Sequence, residues 1–191
     1  MGRMDLGRTN FTRRALLGAF AATAVTAAPT FSSAAGFLRG SGDIRRLKLY
    51  SRRSGETLDT IYWIEGEYIK EALAEINYLM RDWRQNAIKP IDIRTIDLMA
   101  AAHNLMDTTE AYQLLSGYRS PKTNNMLRNS SRGVAKKSYH LKAQAADLRL
   151  GSRSVTQMAR AAASCKAGGV GRYGGSNFVH MDCGPVRTWR G

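Results

Sequence analysis

The chain has 191 residues, 43% hydrophobic and 8% aromatic, which suffices for a leader and one domain with a buried core. That composition excludes a wholly disordered or fibrous protein. The formal net charge of +14, from 29 Lys and Arg against 15 Asp and Glu, points to a polyanionic neighbour. The basic residues form no helix-turn-helix, zinc-finger or RNA-binding signature, so no nucleic acid is expected as partner and most of them read as a solvated surface.

In chain order, Thr12-Arg13-Arg14-Ala15-Leu16-Leu17 opens a stretch rich in Ala, Val, Thr and Gly that runs to Pro29. A charged start, a weakly apolar middle and small residues at Ser32-Ser33-Ala34 make residues 1–34 an expected export signal of the twin-arginine type. The run from Ala15 to Phe31 is short, alanine-heavy and broken by Pro29, so no stable membrane span is expected once the signal is removed. The expected location is therefore the periplasm or cell envelope. Residues 35–46 are expected to be a linker, and 47–191 a single domain. In an oxidising compartment Cys165 and Cys183 either form one disulfide or remain thiols, and spacing does not decide between them.

Leu47–Tyr50 and Thr60–Ile64 alternate as the strands of a hairpin around Arg53-Ser54-Gly55-Glu56. Ile69, Leu73, Ile76, Met80 and Trp83 then recur at steps of three and four, the apolar stripe of a helix. Asp92 is an expected N-cap for a second helix to about Met106, and His103 on it is read as an ordinary residue. Tyr112–Tyr118 reads as a strand and turn, Pro121 as the first turn of a short helix, and 129–137 as a polar loop. Ala143–Leu150 is an expected buried strand, and Ser154–Ala167 a helix ending at Gly168-Gly169. Gly169–Tyr173 and Asn177–Asp182 are the expected last strands. No repeat and no second domain appear.

Three polar clusters carry the chemistry. In Ser138-Tyr139-His140-Leu141-Lys142-Ala143-Gln144-Ala145-Ala146-Asp147, a carboxylate inside a small apolar run needs a cation beside it. In Phe178-Val179-His180-Met181-Asp182, alternation puts His180 and Asp182 on one strand face. Two imidazoles and a carboxylate, His140, His180 and Asp147, form a proper zinc ligand set, and a fourth position left for water would make the site catalytic. The residues alone leave open a buried His140–Asp147 ion pair with a surface His180. The third cluster, Ser116-Gly117-Tyr118-Arg119-Ser120, places an arginine where it can grip a carboxylate with two prongs, or simply form a surface ion pair.

Ser-Gly-Tyr-Arg-Ser, then Ser-x-His followed after six residues by Asp, then a late strand His, resembles the D-Ala-D-Ala carboxypeptidase/hedgehog-type zinc peptidases. Within that group the chain resembles the exported YcbK-like murein endopeptidases, over nearly all of 47–191. The resemblance implies an α+β fold, a small antiparallel sheet with helices packed against it. It implies Zn2+ held by His140, Asp147 and His180, with Arg119 holding substrate and Ser116 and Ser120 beside it. It implies hydrolysis of peptide cross-links in peptidoglycan through a metal-activated water. Two positions depart from the pattern. Ala143 stands where the family has glycine, and Asn177 and Phe178 stand where many members carry the basic Glu or His. Asp182 is the remaining candidate to accept the water's proton, or else a group that orients His180. A zinc-containing peptidoglycan-binding protein that no longer cuts is the alternative. Oligomeric state is not legible in the sequence.

Overall fold

The computed structural model describes residues 44–131 and 133–191, so the expected signal over 1–34 and most of the expected linker lie outside the described residues. The architecture is α+β, as expected. Eight strands form one sheet: β1 (Ile44–Tyr50), β2 (Thr57–Ile64), β3 (Glu67–Tyr68), β4 (Tyr112–Ser116), β5 (Ala145–Arg149), β6 (Gly169–Tyr173), β7 (Phe178–Asp182) and β8 (Arg187–Arg190). Their order across the sheet is β3-β2-β1-β4-β5-β7-β6-β8. Neighbours run antiparallel except for β1 beside β4 and β6 beside β8, which are parallel. The first strand begins at Ile44, three residues earlier than alternation suggests. β3 and β8 are too short to show a period of their own.

Four α-helices lie among the described residues: α1 (Lys70–Leu79), α2 (Ile93–Asn104), α3 (Pro121–Ser130) and α4 (Val155–Ser164). α2 packs on β1 and β7 and against α4, which covers β6 and β7, while α1 lies on β2. The core fills this layer with Leu47, Leu49, Ile76, Ile96, Met99, Leu148, Met158, Val179 and Met181, all buried. Strand alternation then points Asp147, His180 and Asp182 to the opposite face. No helix among the described residues is long and apolar enough to cross a membrane.

The caps behave as their chemistry requires. The Asp92 side chain accepts from the Arg94 N–H at the start of α2, Ser120 caps α3, and Ser154 with Gln157 forms a capping box on α4. α1 stops at Leu79, short of Trp83, because its continuation is spent on tertiary contacts. The Met80 carbonyl accepts from Tyr118 N at 2.7 Å, and buried Asp82 accepts from Ser120 N and Arg84 N. Trp83 lies outside the helix, under the guanidinium of Arg84. Cys165 and Cys183 are both buried and unlinked.

One buried polar cluster left no trace in the periodicity. Asp97 on α2 accepts from Arg45 Nη1 at 3.1 Å, Tyr62 Oη at 3.0 Å and Tyr68 Oη at 2.8 Å. Arg45 is 9% exposed and its guanidinium also lies over the Trp63 ring. Asp97→Ala removes the countercharge of a cation that cannot reach water, which costs about 3–5 kcal/mol. Urea unfolding of the variant is expected to show that loss; a change below about 1 kcal/mol would contradict this role of the cluster.

Candidate functional site

The sheet register sets the site. Asp147 on β5 is paired with His180 on β7, and His180 is paired in turn with Gly171 on β6. Ser116 flanks Asp147 on one side, and Trp189 flanks Gly171 on the other. Ser116, Asp147, His180, Gly171 and Trp189 therefore form one row across five strands. Gly171 has no side chain, and a Cβ there would meet the Trp189 ring at 2.5 Å. The indole lies in that gap, its ring centroid 5.4 Å from the His180 ring.

His140 arrives from outside the sheet, on a 3-10 turn over Tyr139–Lys142 that the Ser138 side chain caps by accepting from His140 N. Its Nδ1–H donates to the Gly117 carbonyl at 2.7 Å, which turns Nε2 toward the sheet. Gly117 is required for that approach, since a Cβ there would come within 2.3 Å of the Met80 carbonyl oxygen. Ala143 ends the turn in the left-handed region at φ 56°. That conformation accounts for the glycine at this position in the family pattern.

His140 Nε2 and His180 Nδ1 lie 3.2 Å apart, and Asp147 closes the triangle. Its Oδ1 is 2.9 Å from His180 Nδ1 and its Oδ2 is 3.2 Å from His140 Nε2. One ligand-type atom from each residue lies within 4.8 Å of the others, a geometry able to hold a metal ion. Two imidazole nitrogens and a carboxylate oxygen gathered at one point are a donor set whose chemistry fits a metal ion. Each of these groups is also fixed from behind. Arg119 Nη2 donates to Asp147 Oδ2 at 3.3 Å and to Ser116 Oγ at 3.1 Å. His180 Nε2–H donates to Asp182 Oδ2 at 3.0 Å.

Electrostatics follow from these contacts. Burial opposes the charge on His180, but the carboxylates of Asp147 and Asp182 more than offset it and push its pKa up to about 9. Burial lowers the pKa of His140. Burial would raise Asp147, yet His140 and then His180 hold it well below the ordinary carboxylate range. Asp182 is likewise held down at about 2, against its burial, by His180 and Arg187.

The site opens into a groove of about 550 Å³ whose walls include Arg119, Lys137, Tyr139, Tyr173, Phe178 and Trp189. Tyr173 stacks on Phe178 with ring centroids 4.4 Å apart, and its hydroxyl accepts from the Trp189 indole N–H. The groove reaches Arg119, His140, Asp147 and His180, but not Ser116, Ser120 or Asp182. The two serines expected near substrate instead shape the turn. Ser116 braces Arg119, and Ser120 caps α3 while its N–H donates to Asp82. Asp182 is fully buried and accepts five hydrogen bonds, from His180, from both terminal nitrogens of Arg187, and from the N–H groups of Gly169 and Gly184. Sequence reasoning missed Arg187 and Gly117; the only signal for either was its place inside a recurrent motif.

In chelator-treated protein the raised pKa of His180 has a defined consequence. A raised folded pKa contributes stability that is fully present below the unfolded value of about 6.5 and is lost as pH climbs through about 9. Metal-free protein is therefore expected to lose on the order of 2–3 kcal/mol between those limits, and the His180→Ala variant is not. Urea titrations across that range check it; equal slopes in parent and variant would contradict it.

Residues 39–189 match the M15 peptidase family model described as peptidoglycan L,D-endopeptidase MepK. The peptidoglycan L,D-endopeptidase MepK of Escherichia coli strain K12 is 46% identical over 145 residues, covering 76% of this chain and 80% of its own length. The probable peptidoglycan L,D-endopeptidase MepK of Haemophilus influenzae is 37% identical over 148 residues, covering 77% of this chain and 80% of its own. With its His-Asp-His cluster standing in a groove on the open face of an α+β sheet, this chain belongs to the MepK family of M15 peptidases.

Proposed function

We propose that this protein is an exported zinc peptidase that hydrolyses peptide cross-links of bacterial peptidoglycan, with His140, Asp147 and His180 holding the metal. The observation that carries the proposal is the convergence of two imidazole lone pairs and one carboxylate at the wall of a groove. Two nitrogens and one oxygen suit zinc. Support for the substrate comes from the relatives, which are named for cutting peptidoglycan.

Zinc held there would polarise a scissile carbonyl and lower the pKa of a water toward about 7. The chain's own residues do the rest. Gly117 fixes the tautomer of His140, and Asp182 fixes that of His180, so both imidazoles present a lone pair to one point. Arg119, 9% exposed and with its Nε unpartnered, holds Asp147 and offers positive charge to a carbonyl or carboxylate of the peptide stem. Tyr173, Phe178 and Trp189 give the groove an aromatic wall against which a stem can lie. Asp182 is assigned the orienting role in place of the proton acceptor, because its five donors leave it no free lone pair facing the groove. Lys137 and the rest of the basic surface favour an anionic mesh.

A second reading, a zinc-containing peptidoglycan-binding protein without peptidase activity, draws on one observation. Among the described residues no acidic side chain besides Asp147 lines the groove. Digestion of purified sacculi separates the two. New amine ends that vanish with chelator and in His180→Ala are expected, and Arg119→Ala is expected to lower kcat/KM on the order of 100-fold. Zinc uptake without released peptides would overturn the peptidase and leave the binding protein. For export, replacing Arg13 and Arg14 together by Lys is expected to retain the protein in the cytoplasm, as cell fractionation would show; unchanged fractionation would contradict the twin-arginine route.

A further inference from the structure

We propose that Arg187 is a positioning residue of the metal-binding site, holding the Asp182 carboxylate so that it fixes His180 Nε2–H and leaves Nδ1 facing the groove. The proposal rests on the reading of His180 as a metal ligand. Arg187 lies on β8, the edge strand, two residues before Trp189, and is paired with Gly169. Gly169 is paired in turn with Asp182. A second row, Asp182–Gly169–Arg187, therefore runs beside the row that carries His180, Gly171 and Trp189.

The geometry is that of a fork on a buried carboxylate. Arg187 Nη2 donates to Asp182 Oδ2 at 2.7 Å and Nη1 to Oδ1 at 3.1 Å. The competing reading is an ordinary surface ion pair, since the Arg187 side chain is 39% exposed, and such pairs contribute little. Three observations favour the positioning role. The Asp182 side chain has no exposure at all, so its charge depends on these donors. A Cβ at Gly169 would lie 2.3 Å from Arg187 Nη1 and 2.6 Å from Asp182 Oδ2, so the backbone leaves room for this contact at the cost of a side chain. The guanidinium also lies against two groove walls, 5.2 Å from the Tyr139 ring centroid and 4.8 Å from that of Trp189. One side chain thus ties the orientation of a ligand imidazole to the shape of the groove. A lysine supplies the charge but not the planar fork.

The test compares the full mature chain with Arg187→Gln, Arg187→Lys, Asp182→Asn and the Arg187→Gln/Asp182→Asn double variant. Zinc affinity is read by competition with a fluorescent chelator, and ligand geometry by the visible spectrum of the cobalt(II) form. Arg187→Gln and Asp182→Asn are each expected to weaken zinc about 10–100-fold and to shift the cobalt bands, with Arg187→Lys in between. The double variant is expected to be no weaker than the poorer single one, because both act along one path. Affinity and bands within twofold of the parent, or fully additive losses, would overturn the proposal. Thermal unfolding of the metal-free variants reports folding. Should Arg187→Gln fail to fold, an Arg187→Lys variant with parental affinity and bands would overturn the proposal equally. If the parent itself takes up no zinc, the proposed function falls, and the positioning role is then read from imidazole 15N shifts of metal-free protein well above the His180 pKa of about 9, where the ring is neutral. His180 Nε2 is expected to carry the proton in the parent and to lose that preference in Arg187→Gln; unchanged shifts would overturn the role.

Discussion

The pairing of Asp147 with His180 across β5 and β7 is the constraint on which the site depends. It brings a carboxylate within 2.9 Å of an imidazole nitrogen in a setting where neither can be solvated in the ordinary way. Charged or lone-pair groups gathered there are costly unless each is satisfied. The surroundings meet that cost from behind: Arg119 and Ser116 for Asp147, Asp182 and Arg187 for His180, and the Gly117 carbonyl for His140. What remains unsatisfied points one way, into the groove.

Small residues make this approach possible. Gly117 lets the motif turn lie against the end of α1, Gly171 admits the indole of Trp189, and Gly169 admits the guanidinium of Arg187. At Gly171 and Gly169 the missing side chain is replaced by a longer one reaching in from elsewhere, whereas at Gly117 the Met80 backbone takes the space. Ala143 is the exception. It adopts the left-handed conformation that glycine takes without penalty, with a strain of about 1–2 kcal/mol. Its carbonyl nonetheless accepts from Asp92 N, and its buried methyl group joins the core, so the turn that carries His140 keeps its shape.

Much of this was legible in the sequence, for reasons that are local. Asp92, Ser120 and Ser154 announce helix starts because capping is a contact between neighbours in the chain. Strand alternation placed His180 and Asp182 on one face, and the odd Asp147 in a run of alanines marked a buried charge that needed a partner. The rest depended on contacts between distant segments. Trp83 fits the helical stripe, yet the helix ends earlier because Tyr118 and Ser120 claim its next polar groups. Arg45 and Asp97 are 52 residues apart and carry no periodic signal. The parallel strand β8 shows itself only when its partner β6 is in place. Asp182 was visible as an acid near His180, but only the crowd of donors around it distinguishes an orienting carboxylate from a proton acceptor.

Anomalous diffraction at the zinc edge, from crystals of the mature protein grown with one equivalent of zinc, tests the central claim most directly. The account expects one strong peak about 2.0–2.2 Å from His140 Nε2, His180 Nδ1 and an oxygen of Asp147. A peak elsewhere, or zinc-supplied crystals with none at these three atoms, would contradict it.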